Sequence, residues 1–294
     1  MPSLKDVKMK IVGVGKTKQI TKAMNMVASA KLRGAQNRIE RFRPYAAKYR
    51  QVLAELASKV EGNCHPLLTE HEEKKVCVIV LTTSDRGLCG SFNGNLIAAA
   101  LKLAKQKTAD GMTVKFICAG KKGRDTVSKS QYEVILGYGD RMGRVDFPLA
   151  NTVAQEVIHG YETLAIDEAY LVYGEFVSMG QQPPRTLQLL PLQAPENSGE
   201  EEANAGPRCE YLYEPNEEKL LAELLPSYVK VQIYRGMLDT ACSEHAARMA
   251  AMDNATRNCN EMVRMLTLLY NKTRQAAITS DLIDIVGGAE ALNG

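Results

Sequence analysis

The feature that most constrains this chain is a long stretch at each end that is nearly free of helix-breaking residues. No proline lies between Pro2 and Pro44, and none follows Pro226 in the remaining 68 residues. Both stretches therefore predict long helices. A helix of about 50 residues is about 75 Å long, more than twice the diameter of a small domain. Neither helix can be enclosed in a globule, so the two are expected to pack against each other.

Apolar residues recur in both stretches at alternating steps of three and four, which is typical of a coiled-coil seam. One stretch opens the chain and the other closes it around a compact middle, so an antiparallel pair is predicted. Pro44 lies within the first frame and is expected to kink its helix. The predicted seam positions are Leu4, Val7, Ile11, Val14, Lys18, Thr21, Asn25, Ala28, Leu32, Ala35, Ile39, Phe42, Ala46, Tyr49, Leu53, Leu56 and Val60, and then Leu238, Cys242, His245, Met249, Met252, Thr256, Cys259, Val263, Leu266, Tyr270, Thr273, Ala277 and Ser280.

The first seam turns polar across residues 16–27, where Ile20, Met24 and Val27 lie off the seam among lysines. Two interpretations stay open. The helix could repack locally against a shifted partner, or these apolar side chains could form a surface that touches another subunit. The last stretch, "DLIDIVGGAEALNG", is also apolar at a tip too thin to bury it alone.

The middle of the chain alternates between apolar runs and helical patterns, which predicts an α/β fold with a partly parallel sheet. The last long pair of runs is expected to form an antiparallel hairpin at a sheet edge, where Pro183 and Pro184 are tolerated. Residues 194–207 read as an acidic loop. The predicted strands are 75–83, 112–119, 132–137, 168–178, 185–192 and 209–213, and the predicted helices are 94–107, 121–130 and 147–164.

The expected fold class is therefore α/β plus all-α. A long antiparallel two-helix coiled coil, formed by the N- and C-terminal helices, accompanies a central Rossmann-like domain with a partly parallel sheet. The corresponding division is 1–60 for the first helix, 74–215 for the α/β domain and 217–294 for the second helix.

A glycine-rich loop follows the first predicted strand, in "TTSDRGLCGSFNGN". Its glycines at 87, 90 and 94 fit neither G-x-G-x-x-G nor a P-loop, and no lysine lies in it. A tight strand-to-helix crossover is favoured over a nucleotide site. Ser84, Asp85 and Arg86 adjoin this loop, and Asp140 and Asp146 could lie near the same sheet edge. None has a histidine partner in register, so an active site within this single chain is disfavoured.

Composition narrows the class of partner. Residues 1–60 carry fourteen Lys and Arg against three acidic residues, which suggests nucleic acid or an acidic protein partner. The aromatic residues of this arm, Phe42, Tyr45 and Tyr49, have helical spacing that suits packing better than base stacking, so an acidic protein is favoured.

Cysteine and histidine usage gives little support for a metal or a disulfide framework. The seven cysteines have no C-x-x-C spacing and are interpreted as small buried hydrophobes in a reducing compartment. Cys64, His65 and His71 are close in sequence, but a metal site there is disfavoured. No apolar run approaches the roughly 20 residues of a membrane span, and the first residues have no apolar signal core, so a cytosolic type of protein is expected.

Three segments identify a family. "KTKQITKAMNMVASAKLRGAQ", "TTSDRGLCGSFNGN" and "SEHAARMAAMDNATRN" through "LYNKTRQAAITSDLIDIVGGAEAL" together closely resemble the gamma subunits of F-type ATP synthases. The resemblance implies a non-catalytic rotor whose coiled coil stands inside a ring of three alpha and three beta subunits, while its α/β domain, with epsilon, sits on the membrane ring of c subunits. It implies no cofactor, no metal, no nucleic acid and only indirect membrane association, at the cytoplasmic face of a bacterial inner membrane.

The resemblance also assigns residues. Contacts that couple the rotor to the beta subunits would involve Lys22, Met24, Arg248, Arg274, Gln275, Thr279 and Asp281, where Asp281 replaces a more common Glu. The acidic lever segment of beta is the expected partner of the basic arm. Contacts to the c ring and epsilon would involve Tyr211, Tyr213 and Glu214.

Three further expectations follow from the same comparison. The glycine loop matches a family signature that binds no nucleotide. The segment 194–209 holds only Cys209, so the thiol switch of chloroplast-type chains is not expected. Pro226 is expected to interrupt the second helix near its start.

Overall fold

The computed structural model describes residues 3–59, 65–192 and 217–293. The chain divides into two compact units. Unit 1 contains Met1–Ser29 and Arg248–Gly294, and unit 2 contains Ala30–Ala247. The two terminal helices contribute to both units, so each unit is a distinct environment for the same pair of helices.

The helices confirm the predicted combination of long arms and a compact α/β middle. Helix α1 has 56 residues and α5 has 77. Five α-helices are present in the described part of the chain: α1 (Leu4–Lys59), α2 (Phe92–Ala109), α3 (Lys121–Val127), α4 (Phe147–Glu162) and α5 (Glu217–Asn293).

The expectation that Pro226 interrupts the second helix is wrong, because α5 runs through it. A proline inside a helix removes one backbone hydrogen bond and costs about 3 kcal/mol. Leu221, Leu225 and Val229, which flank Pro226, are all buried, with at most 2% of their surface exposed. Burial on both sides of the proline holds the helix in place and offsets that cost. Helix α1 also passes through Pro44 without a break, and a bend there stays a prediction.

Five strands form one mixed sheet in the order β3-β2-β1-β4-β5. The pairs β1–β2, β1–β4 and β2–β3 are parallel, and β5 pairs antiparallel with β4 at the edge. The predicted edge hairpin is thereby confirmed, and the predicted strand 209–213 lies outside the described residues. The strands are β1 (Val76–Thr82), β2 (Thr113–Ala119), β3 (Glu133–Tyr138), β4 (Glu168–Gly174) and β5 (Pro184–Leu190).

The sheet has an apolar core at its central strands β1, β2 and β4, which explains why these strands are mostly apolar and buried. Helix α2 packs its buried residues Phe92, Leu96 and Ala100 against Ile79 and Phe116 of the sheet. The prediction that the cysteines are buried is confirmed for Cys77, Cys89, Cys118 and Cys242, none of which is in a disulfide, whereas Cys259 is only half-buried. The sheet with α2, α3 and α4 is called the α/β domain below.

In unit 2 the terminal helices also pair antiparallel. The Tyr49 hydroxyl donates to the Leu224 carbonyl oxygen over 2.9 Å, and Phe42 meets Tyr234 edge-on with ring centroids 5.0 Å apart. Moving forward along α1 therefore means moving backward along α5. Aromatic packing of Phe42 and Tyr49 confirms that their spacing serves the helix pair.

Candidate partner-binding surface

Unit 1 is built from the first part of α1 and the last part of α5, held together by a narrow seam. The Thr21 and Thr256 hydroxyls lie 2.8 Å apart, and the Asn25 side-chain amide donates to the Met249 carbonyl oxygen over 2.9 Å. These two bonds fix an antiparallel register. They also explain the polar stretch of the predicted seam, because its polar side chains bond across the helix pair.

The predicted heptad frame is confirmed through unit 1. Val7, Thr21 and Ala28 are buried on α1, and Met252 is buried on α5. The remaining seam positions are half-buried, namely Leu4, Ile11, Val14, Lys18 and Asn25 on α1 and Met249, Thr256, Cys259, Val263, Leu266, Tyr270, Thr273 and Ala277 on α5. Ser280 is exposed and does not continue the seam.

The frame does not shift at the polar stretch, so its off-seam apolar residues face solvent. Ile20 is 60% exposed and Val27 is 57% exposed, whereas Met24 is half-buried. Local repacking against a displaced partner helix is therefore not what this segment does. The alternative, a surface that touches another subunit, remains.

Exposed apolar residues continue along the whole of unit 1. Fourteen large apolar side chains there are between 41% and 67% exposed. So many exposed large apolar side chains on one unit indicate a surface that binds other chains. These residues are Met9, Val12, Ile20, Met26, Val27, Met262, Met265, Leu268, Leu269, Ile278, Leu282, Ile283, Ile285 and Val286.

Helix α5 extends beyond the start of α1. Thr21 lies opposite Thr256, so by an equal number of residues Leu4 lies near Thr273. From Ile278 to Ala289 every side chain is exposed. The last 20 or so residues of α5 therefore form a single helix about 30 Å long. We call residues 274–293 the overhang.

The surface of unit 1 is basic on α1. Lys5, Lys8, Lys10, Lys16 and Lys22 are exposed. Asp6 is the single acidic residue between Ser3 and Ser29. An apolar surface bordered by cations suits an acidic protein partner.

The seven residues expected to touch the beta subunits all lie in unit 1, but the structure places them in two zones. Lys22 is exposed, while Met24 and Arg248 are half-buried, and all three lie near the Asn25–Met249 bond. The other four are exposed on the overhang: Arg274, Gln275, Thr279 and Asp281. Arg248 and Arg274 are 26 residues apart on one helix, which corresponds to about 40 Å.

Tyr211, Tyr213 and Glu214, expected at the c ring and epsilon, lie outside the described residues. Cys64 and Cys209 lie outside them as well. The sequence analysis missed the exposed residues Met9, Val12, Met26, Met262, Met265, Leu268 and Leu269, although each could be recognised as an apolar residue outside the heptad frame.

In the glycine-rich loop, Asp85 has a structural role. We call Asp85 with its three backbone partners the hub. One carboxylate oxygen of Asp85 accepts from the backbone N–H groups of Lys121 and Asp140, each at 3.0 Å, and the other accepts from that of Met142 at 2.8 Å. Gly90 has a φ of 61°, a left-handed backbone conformation that glycine adopts more readily than other residues. Asp85 thus ties together the segments that follow β1, β2 and β3.

The other acidic candidate at this edge is also used for structure. The Asp146 carboxylate accepts from the Leu149 backbone N–H over 3.1 Å and so caps α4. Across residues 3–59, 65–192 and 217–293, no group of three or more His, Cys, Asp or Glu is arranged to hold a metal ion. In the same ranges, no helix combines the length and apolarity needed to cross a bilayer.

Unit 2 contains one buried acid whose ionisation is strongly perturbed. Asp239 on α5 is 5% exposed, and burial raises the pKa of its carboxyl to about 6 despite Arg235 and Arg43 nearby. Its carboxylate lies 3.9 Å from the Arg235 guanidinium, beyond hydrogen-bond distance. Poor pairing of a desolvated carboxylate explains the direction of the shift.

The chain is similar to known proteins along its whole length. A family model described as ATP synthase matches residues 3–292. The ATP synthase gamma chain of Nitratidesulfovibrio vulgaris (strain Hildenborough) is 66% identical over 294 residues and is matched over 100% of both chains. The ATP synthase gamma chain of Lawsonia intracellularis is 56% identical over 292 residues, or 99% of this chain and 100% of the relative.

Solved structures share the fold. A chain from the cryo-EM structure of the central stalk and c ring of the Tetrahymena thermophila mitochondrial ATP synthase matches with a TM-score of 0.58 at 26% identity. The match covers 80% of this chain and 99% of that one. A chain from the Euglena gracilis mitochondrial ATP synthase matches with a TM-score of 0.62 at 21% identity, over 98% of this chain and 94% of that one.

Proposed function

The chain belongs to the gamma-chain family of ATP synthases, whose members are subunits of the central stalk, and from this premise we propose that it is a rotor. In this role it couples rotation of the membrane c ring to ATP synthesis or hydrolysis at catalytic sites on the beta subunits. The chain itself contributes no catalytic residue and needs no cofactor. Its action is mechanical, because its rotation changes the conformation of its partners.

The observation that carries this proposal is the surface of unit 1. A two-helix seam leaves fourteen large apolar side chains exposed, from Met9 to Val286, on an element too thin to bury them. A ring of three alpha and three beta subunits around unit 1 would cover such side chains on every side. A partner on one side alone would leave the rest in water.

Charge supports movement within that ring. The exposed lysines of α1, including Lys16 and Lys22, would meet the acidic lever segments of the three beta subunits in turn. Exposed ion pairs contribute only about 0.2–1 kcal/mol each, so no single orientation holds the rotor strongly. Weak pairs that are exchanged one for another allow rotation with small barriers.

The coupling residues would act at two levels. Lys22, Met24 and Arg248 form the lower zone, and Arg274, Gln275, Thr279 and Asp281 form the zone on the overhang. Two zones about 40 Å apart along one helix would give the ring two bearings, which keep a turning rod aligned better than one.

The remaining assignments concern the membrane side. We place Tyr211, Tyr213 and Glu214 at the contact with the c ring and epsilon, which makes membrane association peripheral and indirect, at the cytoplasmic face of a bacterial inner membrane. The working division is a first helix at 1–60, the α/β domain at 74–215 and a second helix at 217–294.

Co-purification with alpha and beta subunits tests the proposal. One copy of this chain should elute with three copies of each, and the complex should hydrolyse ATP. Recovery of the chain alone, or a salt-sensitive complex with nucleic acid in its place, would contradict it.

A charge reversal tests the lower zone. Lys22→Glu should reduce proton transport driven by ATP hydrolysis, measured in vesicles with the complete complex, because its charge would repel the acidic lever. Lys102→Glu, at an exposed lysine of α2, is the matched control and should leave transport unchanged. Equal transport by both variants would remove Lys22 from the coupling set.

A further inference from the structure

Helix α5 covers the carboxyl ends of β1 and β4 in unit 2. The sheet order β3-β2-β1-β4-β5 reverses direction between these two strands. Doubly wound sheets usually bind ligands in the crevice at this reversal. Here Thr82 of β1 and Thr240 and Ser243 of α5 are fully buried there, each with 0% of its surface exposed. The position of a ligand is taken by the chain's own helix.

Three hydrogen bonds join α5 to the two strands, and a fourth joins the strands to each other. The Gly174 backbone N–H donates to the Thr240 hydroxyl over 3.1 Å, and the Ser243 hydroxyl donates to the Gly174 carbonyl oxygen over 3.1 Å. The hydroxyls of Thr240 and Thr82 lie 2.8 Å apart, and Thr82 donates to the Val172 carbonyl oxygen over 3.0 Å. Since the one hydroxyl hydrogen of Thr82 goes to Val172, Thr240 is the donor to Thr82.

These bonds satisfy the end of β4 on its β1 side, where no strand pairs with Gly174, while β5 pairs with it on the other side. The register between β1 and β4 ends at the pair Leu81 and Val172, two residues before Gly174. Both backbone groups of Gly174 bond instead to side chains of α5. Buried backbone groups need such partners. The two hydroxyls of α5 therefore replace a missing strand.

The helix also approaches the sheet very closely at this point. A Cβ atom at Gly236 would lie 2.7 Å from Leu171 Cδ2 of β4, and one at Gly174 would lie 3.6 Å from Ser243 Cβ of α5. The absence of a side chain at Gly236 thus permits the contact, and little room remains for α5 to turn about its own axis. We call Gly236, Thr240 and Ser243, with Thr82 and Gly174, the anchor.

We propose that the anchor fixes the rotational position of α5 on the sheet, so that α5 and the α/β domain turn together under torque. This inference rests on the proposed rotor function. Thr240 and Ser243 are positioning residues: both are fully buried within unit 2, and they act through the long helix of which they are part. Directional hydrogen bonds suit this task, because apolar packing alone tolerates small rotations of a helix whereas a bonded hydroxyl does not.

The test measures torsional stiffness in the assembled complex. The alpha and beta ring is fixed to a surface and stalled, a bead is attached to the α/β domain, and the angular spread of the bead is recorded. Thr240→Val removes the hydroxyl at nearly constant volume and should widen the spread. Thr240→Ser keeps the hydroxyl and should restore the parent spread. Thr152→Val is the matched control, since the Thr152 hydroxyl donates to the Pro148 carbonyl oxygen of its own helix.

Melting temperature is measured in parallel to separate stiffness from stability. A role in stability alone would lower the melting temperature of Thr240→Val without widening the spread, and this outcome would overturn the proposal. If Thr240→Val fails to assemble, Ser243→Ala decides by the same criterion, because it removes one bond only. Failure of the parent chain to join alpha and beta would overturn the rotor function as well, whereas an assembled complex with unchanged stiffness would overturn the anchor alone.

Discussion

Units 1 and 2 use the same two helices in opposite ways. In unit 2 every residue of α5 from Gly236 to Ala246 is buried, so the helix is covered on all sides. In unit 1 the same helix buries or half-buries only one or two residues per turn, and its overhang buries none of its described side chains. The apolar side chains of α5 therefore stabilise the fold in unit 2, whereas in unit 1 most of them remain exposed and available for contact with other chains.

Whether an apolar residue stabilises the fold or is available to bind a partner therefore depends on whether its own chain buries it. Met237 and Met265 are chemically identical residues on one helix, yet the first has 0% of its surface exposed and the second 62%. Hydrophobic stabilisation is proportional to area removed from water. A methionine that stays in water contributes little to stability of the free chain and keeps its area for a partner.

The largest predicted effect is a direct test of this contrast. Met237→Ala should lower the free energy of unfolding by about 2–5 kcal/mol, because it leaves a cavity in a close-packed core. Met265→Ala should change it by less than about 0.5 kcal/mol. Urea denaturation of the purified chain measures both, and equal losses would show that the two parts of α5 are not different environments.

A smaller loss is expected from the hub of unit 2. Asp85→Ala leaves the backbone N–H groups of Lys121, Asp140 and Met142 without their acceptor. Since Asp85 is only half-buried and water can replace part of the loss, we expect destabilisation of about 2–3 kcal/mol. Asp125→Ala is the control, as its carboxylate pairs only with neighbouring Arg124 on the surface. If Asp85→Ala lowers thermal stability no more than Asp125→Ala does, Asp85 does not have this structural role.

The sequence predicts those parts of the fold that follow from local periodicity. Heptad spacing placed the seam correctly from Leu4 to Leu56 and from Leu238 to Ala277, because each apolar or polar seam residue faces the partner by helix geometry alone. The predicted seam position Val60 lies outside the described residues. Apolar runs between turn residues likewise located the strands, since buried parallel strands need little else.

The errors and omissions share a physical cause, which is dependence on distant residues. The passage of α5 through Pro226 depends on burial of Leu221 and Val229, which local propensity does not reveal. The overhang depends on the register set by Thr21 and Thr256, which are 235 residues apart in sequence. Ser280 was therefore placed on a seam that has no opposing helix.

The candidate surface was predicted only in part for the same reason. Lys22 and Arg274 were expected in one coupling zone, but an antiparallel register separates residues that a family resemblance groups together. Asp85 was considered for chemistry because it stands beside a glycine loop. Its three backbone partners come from two other segments of the sheet edge, and only the folded chain brings them together.

The stability of unit 2 is expected to depend on pH through the buried acid Asp239. The pKa of Asp239 is raised from 3.8 to about 6 in the folded chain. The folded state then binds more protons than the unfolded state between these values, so stability is lost as pH rises through this window. Asp239→Asn cannot ionise and should be more stable than the parent by about 2 kcal/mol at pH 7.5, with no gain near pH 4.

Thermal melting at the two pH values measures this difference. Asp253→Asn, at an exposed acid of the same helix in unit 1, is the control and should show no comparable gain at pH 7.5, since its carboxylate already pairs with Arg257. A gain for Asp239→Asn that is equal at both pH values would point to packing, and would remove ionisation of Asp239 as the cause.

The smallest effect is expected at the polar seam of unit 1, where two hydroxyls meet across the helix pair. Thr21→Val alone leaves the Thr256 hydroxyl without its partner on α1, although it keeps its bond to the Met252 carbonyl oxygen. The loss should therefore be about 1 kcal/mol. Replacing Thr256 by Val as well removes both polar groups, and the double variant should recover to near the stability of the parent. A double-mutant cycle by urea denaturation measures the coupling. Additive losses would mean that the two hydroxyls do not bond in solution, and the register that defines the overhang would lose one of its two supports.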